Sequence, residues 1–180
     1  MEYHIGPFEL SIENTRLYCS DFVLPSISYA IQGAHAAPVT GYTIRFVPLN
    51  ASGTIVADGA VPVQEAPGTF RYADSFQNIE FIADERAINI SFADAGAVSH
   101  EDMLSVLNGV CGMLMVFHGG MALHSSAVSL SGNAVAFSGP SGRGKSTIVS
   151  LLCPPAEMLG EDYNLIFNDG RGYVIGPSLF

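Results

Sequence analysis

Apolar and polar residues alternate along much of the first hundred positions. Runs of β-branched and aromatic residues, separated by glycine and proline, include SISYAI, GYTIRFVPL, GTIVA, NIEFIA and AINISFA. A period of two is the spacing of strands rather than helices. In the last run Ile88, Ile90 and Phe92 would share one face, with Asn89, Ser91 and Ala93 on the other. The pattern predicts mostly antiparallel β structure over residues 1–99, in sheets half exposed to water.

The periodicity changes near residue 99. Ser99 precedes Asp102 by three positions, close to a capping box, and acidic residues fall in the first turn of the helix that would follow. The pattern predicts a helix from about His100 to Phe117, ended by the glycine pair beyond it. The segment LSVLNGVCGMLMVFHGGMA contains no charged residue and approaches the length of a membrane-spanning helix. Asn108 and several glycines within it favour a buried core helix instead.

Residues 139–146 read GPSGRGKS and satisfy G-x-x-x-x-G-K-S/T, the phosphate-binding P-loop motif. A predicted strand (Ala134 to Phe137) enters the loop, and a predicted apolar helix (Ser146 to Leu152) leaves it. This is the context in which the motif binds nucleotides. The predicted nucleotide-binding residues are Gly139, Pro140, Ser141, Gly142, Arg143, Gly144, Lys145, Ser146 and Thr147.

Each residue type in this loop suits phosphate binding. Glycines let the backbone N–H groups turn inward, and the helix N-terminus adds partial positive charge. Lys145, the only lysine of the chain, would place its charge on the β- and γ-phosphates of ATP, and the Ser146 hydroxyl would ligate Mg²⁺. The alternative is an ordinary surface turn between a strand and a helix.

Two further features accompany the motif. Glu161 and Asp162 lie just beyond the predicted P-loop helix, where a carboxylate for the metal is needed; in a strand, adjacent carboxylates would point to opposite faces. The alternative for this pair is a solvated acidic turn. His124 lies in MALHSSAVSL, a predicted strand before the loop strand, and would reach the phosphates if the two strands pair. The alternative is a core or edge histidine satisfied by backbone groups.

Composition narrows the function classes. The 180 residues are 48% hydrophobic, which excludes a disordered chain, and the net charge of -10 has the wrong sign for nucleic acid or an anionic membrane. Cys19, Cys111 and Cys153 have no paired spacing, so free thiols are predicted rather than a disulfide framework or zinc site. The N-terminus has no secretory signal, which favours a cytoplasmic location.

The segments LHSSAV, GNAVAFSGPSGRGKST and GEDY together resemble the HPr kinase/phosphorylase family and its HPr-kinase-like relatives. The resemblance implies a fold of the phosphoenolpyruvate carboxykinase-like superfamily and serine phosphorylation with ATP and Mg²⁺. It matches the family histidine to His124, the proposed acid/base aspartate to Glu161 and the aspartate implicated with the metal to Asp162. Glutamate keeps the carboxylate there but lengthens the arm by one methylene.

The resemblance covers about residues 121–180. Residues 1–100 look like the β-rich leader of HPr-kinase-like proteins, some of which phosphorylate peptides. The chain stops at YVIGPSLF, a strand in mid-pattern, whereas relatives continue with further strands and a substrate-binding loop. The sequence therefore looks like the front part of a longer kinase.

Together these features predict a mixed α/β (α+β) chain. Residues 1–99 would form a β-rich region, and residues 100–180 a helix and the start of a P-loop kinase domain. The expected partner is a protein or peptide carrying the acceptor serine, with a homo-oligomer also allowed. The open alternatives are a non-catalytic nucleotide-binding module, a P-loop ATPase or small-molecule kinase, and an inactive fragment.

Overall fold

The computed structural model describes residues 2–5, 8–22, 40–49 and 63–177. These residues divide into two compact units. The first contains most of the described chain up to residue 103, and the second contains residues 104–177. The predicted strands SISYAI (26–31) and GTIVA (53–57) lie outside the described residues.

A seven-stranded sheet with the order β1-β2-β3-β7-β6-β5-β4 organises the first part of the chain. Its strands are β1 (Glu2–Ile5), β2 (Phe8–Glu13), β3 (Thr40–Phe46), β4 (Val63–Ala66), β5 (Thr69–Ala73), β6 (Gln77–Ile82) and β7 (Ala87–Phe92). The strands β4 to β7 pair antiparallel, each with the next along the chain.

Two predictions for this sheet are wrong in part. The central pairs β2–β3 and β3–β7 are parallel, so the sheet is mixed. Parallel neighbours need long connections, and here the paired strands are far apart in sequence, where local periodicity carries no signal. In addition, the polar face of β7 is only partly exposed, because Ser91 is buried whereas Asn89 is half-buried. Strand β7 pairs in parallel with β3, and parallel sheets are usually covered on both faces.

Aromatic and aliphatic side chains fill the core of the first unit. The fully buried large residues include Phe8, Phe46, Phe92, Ile44 and Ile88. The rings of Phe46 and Phe92 stack with their centroids 6.2 Å apart. The alternation of the β7 sequence therefore gives the correct apolar face of that strand.

A long helix leads into the second unit. The helix α1 (His100–Phe117) has the bounds that the sequence predicts. The predicted capping box is also confirmed: the Asp102 N–H donates to Ser99 Oγ at 3.1 Å, and the Ser99 N–H donates to Asp102 Oδ2 at 2.8 Å. Of the described helices, none is long and apolar enough to span a membrane.

The rest of the second unit consists of two three-stranded sheets and a short helix. Its elements are β8 (Met121–Leu123), β9 (Ser125–Leu130), β10 (Asn133–Ser138), α2 (Lys145–Leu152), β11 (Glu157–Gly160), β12 (Asn164–Asn168) and β13 (Tyr173–Pro177). The sheet orders are β10-β9-β11 and β13-β12-β8. The single strand predicted over MALHSSAVSL is wrong, because the chain changes sheets at His124 and forms β8 and β9 instead.

The helix α2 packs on the first of these sheets through a small apolar cluster. Val149 is fully buried beside Val128 and Ala156, with Phe137 and Leu152 packed against them. The described chain is thus a mixed α+β structure, mostly β-sheet with two α-helices. The mixed fold class is confirmed at this level.

Candidate functional site: a glycine-rich loop and an acidic turn

The loop that matches the phosphate-binding motif connects β10 to α2. Gly142 and Gly144 have φ of 76° and 82°, a left-handed conformation that other residues adopt only with strain. The helix begins at Lys145, so the N–H groups of residues 145–147 have no partner within the helix. Among the described residues they donate to no other acceptor. The loop therefore presents unpaired donors at a helix N-terminus.

The only lysine lies inside this loop. Its Nζ donates to the carbonyl oxygens of Gly139 at 3.0 Å and of Pro140 at 3.4 Å. The ammonium group is thereby held over the loop by one part-buried and one exposed hydrogen bond. A phosphate group could replace these carbonyls as the acceptor without breaking an ion pair, since the structure gives this lysine none among the described residues.

The sheet register brings the loop and the acidic pair to the same end of the sheet. Strand β10 pairs with β9 so that Ser138 faces Ser125, and β11 pairs with β9 so that Gly160 faces Ala127. Both pairings are antiparallel, so β10 and β11 run in the same direction on either side of β9. The loop after β10 and the acidic residues after β11 therefore leave the sheet from their strands' carboxyl ends, as P-loop sites require.

The acidic pair lies in a turn and not in a strand. Glu161 and Asp162 follow the end of β11 and precede β12, and both are exposed. Asp162 has a left-handed φ of 61°, and the Tyr163 N–H donates to the Glu161 carbonyl at 2.7 Å. The expectation that the two carboxylates point to opposite faces of a strand is therefore wrong, because the strand alternation does not apply within a turn.

His124 lies between β8 and β9, immediately before the first residue of β9. Strands β9 and β10 do pair, as the hypothesis for this histidine requires, and its carbonyl accepts a hydrogen bond from Ser138 Oγ at 3.2 Å. The residue is exposed and is not part of the core.

A cleft of about 620 Å³ within the second unit collects several of the predicted residues. It is lined by Ser105, Asn108, Gly109, His124, Glu161, Asp162 and Tyr163. The structure thus brings His124 together with both carboxylates. The glycine-rich loop is not part of this lining; it lies at the same sheet end through the register of β9 and β10.

Tyr163 fixes the acidic turn against α1. The Tyr163 hydroxyl occupies the space that a side chain at Gly112 would need, since a Cβ there would lie 2.5 Å from that oxygen. Burial raises the pKa of Tyr163, and the neighbouring Cys111 raises it further. Cys111 is itself fully buried, which raises its pKa to about 12 and keeps the thiol protonated. This contact depends on a helix residue without a side chain.

Asn164 anchors the other side of the turn. Its Nδ2 donates to the Ser125 carbonyl at 2.6 Å and to Ser125 Oγ at 3.0 Å, and both residues are fully buried. These bonds join the first residue of β12 to the first residue of β9. Only Tyr163 separates the acidic pair from Asn164 in the sequence, so these buried hydrogen bonds hold the end of the turn next to His124.

The sequence does not predict the helix wall of the cleft or a role for Tyr163. Ser105, Asn108 and Gly109 lie on α1, which the sequence predicts only as a core helix. One signal was present: asparagine followed by glycine is unfavourable in the middle of a helix and is typical of turns. Such a pair within an otherwise apolar helix indicates a local requirement other than helix stability.

The oxygen-bearing side chains of this region suit Mg²⁺ bound together with a nucleotide. Mg²⁺ prefers one or two protein oxygens plus substrate phosphates to a complete protein cage. The Ser146 hydroxyl and the Asp162 carboxylate supply such oxygens at the same sheet end. No group of three His, Cys, Asp or Glu residues able to hold a metal occurs in the described ranges.

Comparisons with known proteins assign the chain to no family. No protein-family model matches the chain, and no curated protein matches it. The resemblance to HPr kinase therefore stays a prediction that depends on the three quoted segments.

Proposed function

We propose that this chain contains the ATP-binding part of a serine kinase similar to HPr kinase, which transfers the γ-phosphoryl group of ATP to a serine hydroxyl on a protein or peptide. The observation that carries the proposal is one arrangement. A loop with the full phosphate-binding motif and an acidic turn follow two strands that run in the same direction and flank β9.

The loop residues bind the nucleotide. Backbone N–H groups at the start of α2 donate to phosphate oxygens, with the helix dipole favouring their negative charge. Lys145 releases the carbonyls of Gly139 and Pro140 and binds the β- and γ-phosphates. The Ser146 hydroxyl and Asp162 carboxylate hold Mg²⁺, which when bound neutralises charge on the phosphates and orients them.

The acidic turn handles the proton of the acceptor. The serine oxygen forms a bond to the γ-phosphorus, the bond from that phosphorus to the bridging oxygen breaks, and ADP leaves with the bonding electrons. The serine proton passes to the Glu161 carboxylate, which is exposed and free to accept it. His124, which lines the same cleft, donates a hydrogen bond to a phosphoryl oxygen and so orients the group.

The first experiment tests nucleotide binding by calorimetry with MgATP. We expect Lys145→Ala to weaken binding by about a hundredfold or more, because a charge-assisted phosphate contact is lost. Arg171→Ala is the matched control, since it removes one exposed positive charge from the turn between β12 and β13. Equal binding by wild type and Lys145→Ala would refute the loop assignment.

The second experiment tests the proton acceptor by following phosphate transfer to serine peptides. We expect Glu161→Gln to retain MgATP binding and to slow transfer by about 10²–10⁴-fold, the range of general-base catalysis. Glu157→Gln is the control, because Glu157 is an exposed glutamate on the preceding strand β11. Unchanged transfer in Glu161→Gln would exclude this residue as the base.

The same measurements separate the alternatives. MgATP binding without transfer to any serine peptide would indicate a non-catalytic nucleotide-binding module. ATP turnover that needs no peptide would indicate an ATPase or a small-molecule kinase.

A further inference from the structure

Two glycines of α1 lie near the acidic turn, and only one has a structural explanation. At Gly112 a side chain would collide with the Tyr163 hydroxyl, so packing requires a glycine. Gly109 is exposed, and a Cβ built there would have no described atom within 4 Å. Glycine is among the worst helix formers, so an unneeded glycine in mid-helix weakens α1. The open space over Gly109 belongs to the cleft.

The cleft has two different walls. One is the α1 wall, formed by Ser105, Asn108 and Gly109, where the exposed Gly109 has no side chain to cover the helix backbone. The other contains His124, the two carboxylates and Tyr163. The described lining includes two acidic side chains and no lysine or arginine.

We propose that the cleft is the acceptor-binding site, in which an extended peptide segment lies with its backbone against Gly109 and with a positively charged residue next to its phosphorylated serine. This proposal depends on the proposed kinase function for the identity of the serine. It extends that function by naming the class of acceptor and the helix that recognises it.

Size and charge both favour this occupant. A cleft of about 620 Å³ is of the size that proteins use for small ligands and short peptide segments. The absence of a side chain at Gly109 allows close backbone approach, a recurrent use of glycine. The carboxylates attract a cationic peptide, and bound ATP adds further negative charge nearby. The whole chain has a net charge of -10, which acts in the same direction at long range.

The proposal assigns the serine hydroxyl a defined position. With the peptide backbone along the α1 wall, the serine points to the opposite wall, where Glu161 and His124 lie. Its oxygen then bonds to the γ-phosphorus of ATP while its proton passes to Glu161 and ADP departs, as in the transfer step given above.

The test measures peptide binding directly, so that it does not depend on transfer. A short fluorescein-labelled peptide with one serine between arginines is titrated with the full chain and a non-hydrolysable MgATP analogue, and anisotropy is recorded. The comparison peptide has glutamates in place of the arginines. We expect at least about tenfold tighter binding of the arginine peptide, an advantage that falls as salt is added.

The Gly109→Ala variant then probes the α1 wall. Alanine favours the helix, so this variant is expected to fold at least as well as wild type, but its methyl group enters the cleft. We expect about tenfold weaker binding of the arginine peptide and unchanged calorimetric MgATP binding. Gly172→Ala is the control, because Gly172 also has open space around its Cβ but lies in the turn after β12.

The outcomes separate this proposal from the kinase proposal. Equal binding of both peptides, or of the arginine peptide to wild type and Gly109→Ala, overturns the acceptor site even if transfer is observed. Selective binding that Gly109→Ala weakens supports the site. If that selective binding occurs without phosphate transfer, the kinase function fails while the peptide site stands.

Discussion

The seven-stranded sheet of the first unit and the β10-β9-β11 sheet of the second differ in the size of the side chains that they bury. The first buries large aromatic rings at its centre, Phe46 and Phe92 among them. The second is held by a small cluster of Val128, Val149 and Ala156. Most of the exposed large hydrophobic residues of the described chain belong to the second unit.

The two units also differ in the surroundings of their polar groups. In the first unit, polar side chains near the core are paired: the Tyr18 hydroxyl donates to the Val47 carbonyl at 2.5 Å and accepts from the Phe92 N–H at 3.2 Å. In the second, the loop amides, His124 and the acidic turn stay exposed at one sheet end. Stability and candidate chemistry are therefore concentrated in different parts of this chain.

The largest expected effect comes from the aromatic core. We expect Phe92→Ala to reduce the free energy of unfolding by about 4 kcal/mol, because it leaves a cavity among buried rings that cannot move far enough to fill it. Phe76→Ala is the matched control, since Phe76 touches the same ring at a centroid distance of 5.3 Å but is 36% exposed. Urea unfolding of both variants measures the difference, and equal losses would contradict a buried aromatic core.

A smaller effect is expected where α2 packs on β9. Val149→Ala should reduce the free energy of unfolding by about 1.5 kcal/mol, the transfer free energy of two buried carbons. Leu151→Ala, on the same helix but 79% exposed, should change it little. Thermal unfolding compares the two variants. A larger loss for Leu151→Ala would mean that α2 docks through a different face than Val149.

The third effect concerns the joint between α1 and the acidic turn. We expect Gly112→Ala to reduce the free energy of unfolding by about 1 kcal/mol, because overpacking against Tyr163 and Ala122 outweighs the gain in helix propensity. Gly109→Ala, with open space at its Cβ, should instead increase it by roughly 0.5–1 kcal/mol. Urea unfolding gives both signs.

A double-mutant cycle identifies the cause of the Gly112 effect. Tyr163→Phe removes the hydroxyl oxygen, so in that background Gly112→Ala should cost clearly less. If the two changes are additive, the close approach of Tyr163 to Gly112 does not determine the packing of this joint.

The features that the sequence predicts correctly are local ones. The helix α1 and its cap depend on residues three apart, and the loop with its flanking strand and helix occupies a continuous segment. The parallel pairs of β3 depend on strands separated by long connections, so no short-range periodicity reports them. The α1 wall of the cleft is also a long-range feature, because Gly109 and Tyr163 line the same cleft only in the folded chain.

The acidic turn illustrates the same limit within one motif. The position of Glu161 and Asp162 after the loop helix predicts a role at the site, and they do lie near His124 in one cleft. Their assignment to a strand was wrong because Asp162 adopts a left-handed φ, which residue identity alone does not predict for aspartate. Residue type therefore indicates the candidate chemistry, whereas backbone conformation decides the directions of the side chains.

The smallest effect is at the N-terminus of α1, where the long helix begins. Hydrogen bonds from the Ser99 hydroxyl and the Ser99 N–H lower the pKa of Asp102 below its usual value of 3.8. A carboxylate with a lowered folded-state pKa stabilises the folded chain above its unfolded pKa, and this contribution is lost as pH falls through the folded value. Because the group is largely exposed, we expect at most about 1 kcal/mol, reduced further by salt.

Urea unfolding of Asp102→Asn and wild type at neutral and acidic pH checks this expectation. The stability difference between the two should be largest at neutral pH and should shrink below about pH 4, where the unfolded carboxyl becomes protonated. Glu101→Gln removes the neighbouring acidic charge from the same turn and leaves the capping box intact. It therefore separates the contribution of the cap to stability from that of the helix dipole. An Asp102→Asn effect that is the same at both pH values would mean that the carboxylate charge does not contribute to the cap.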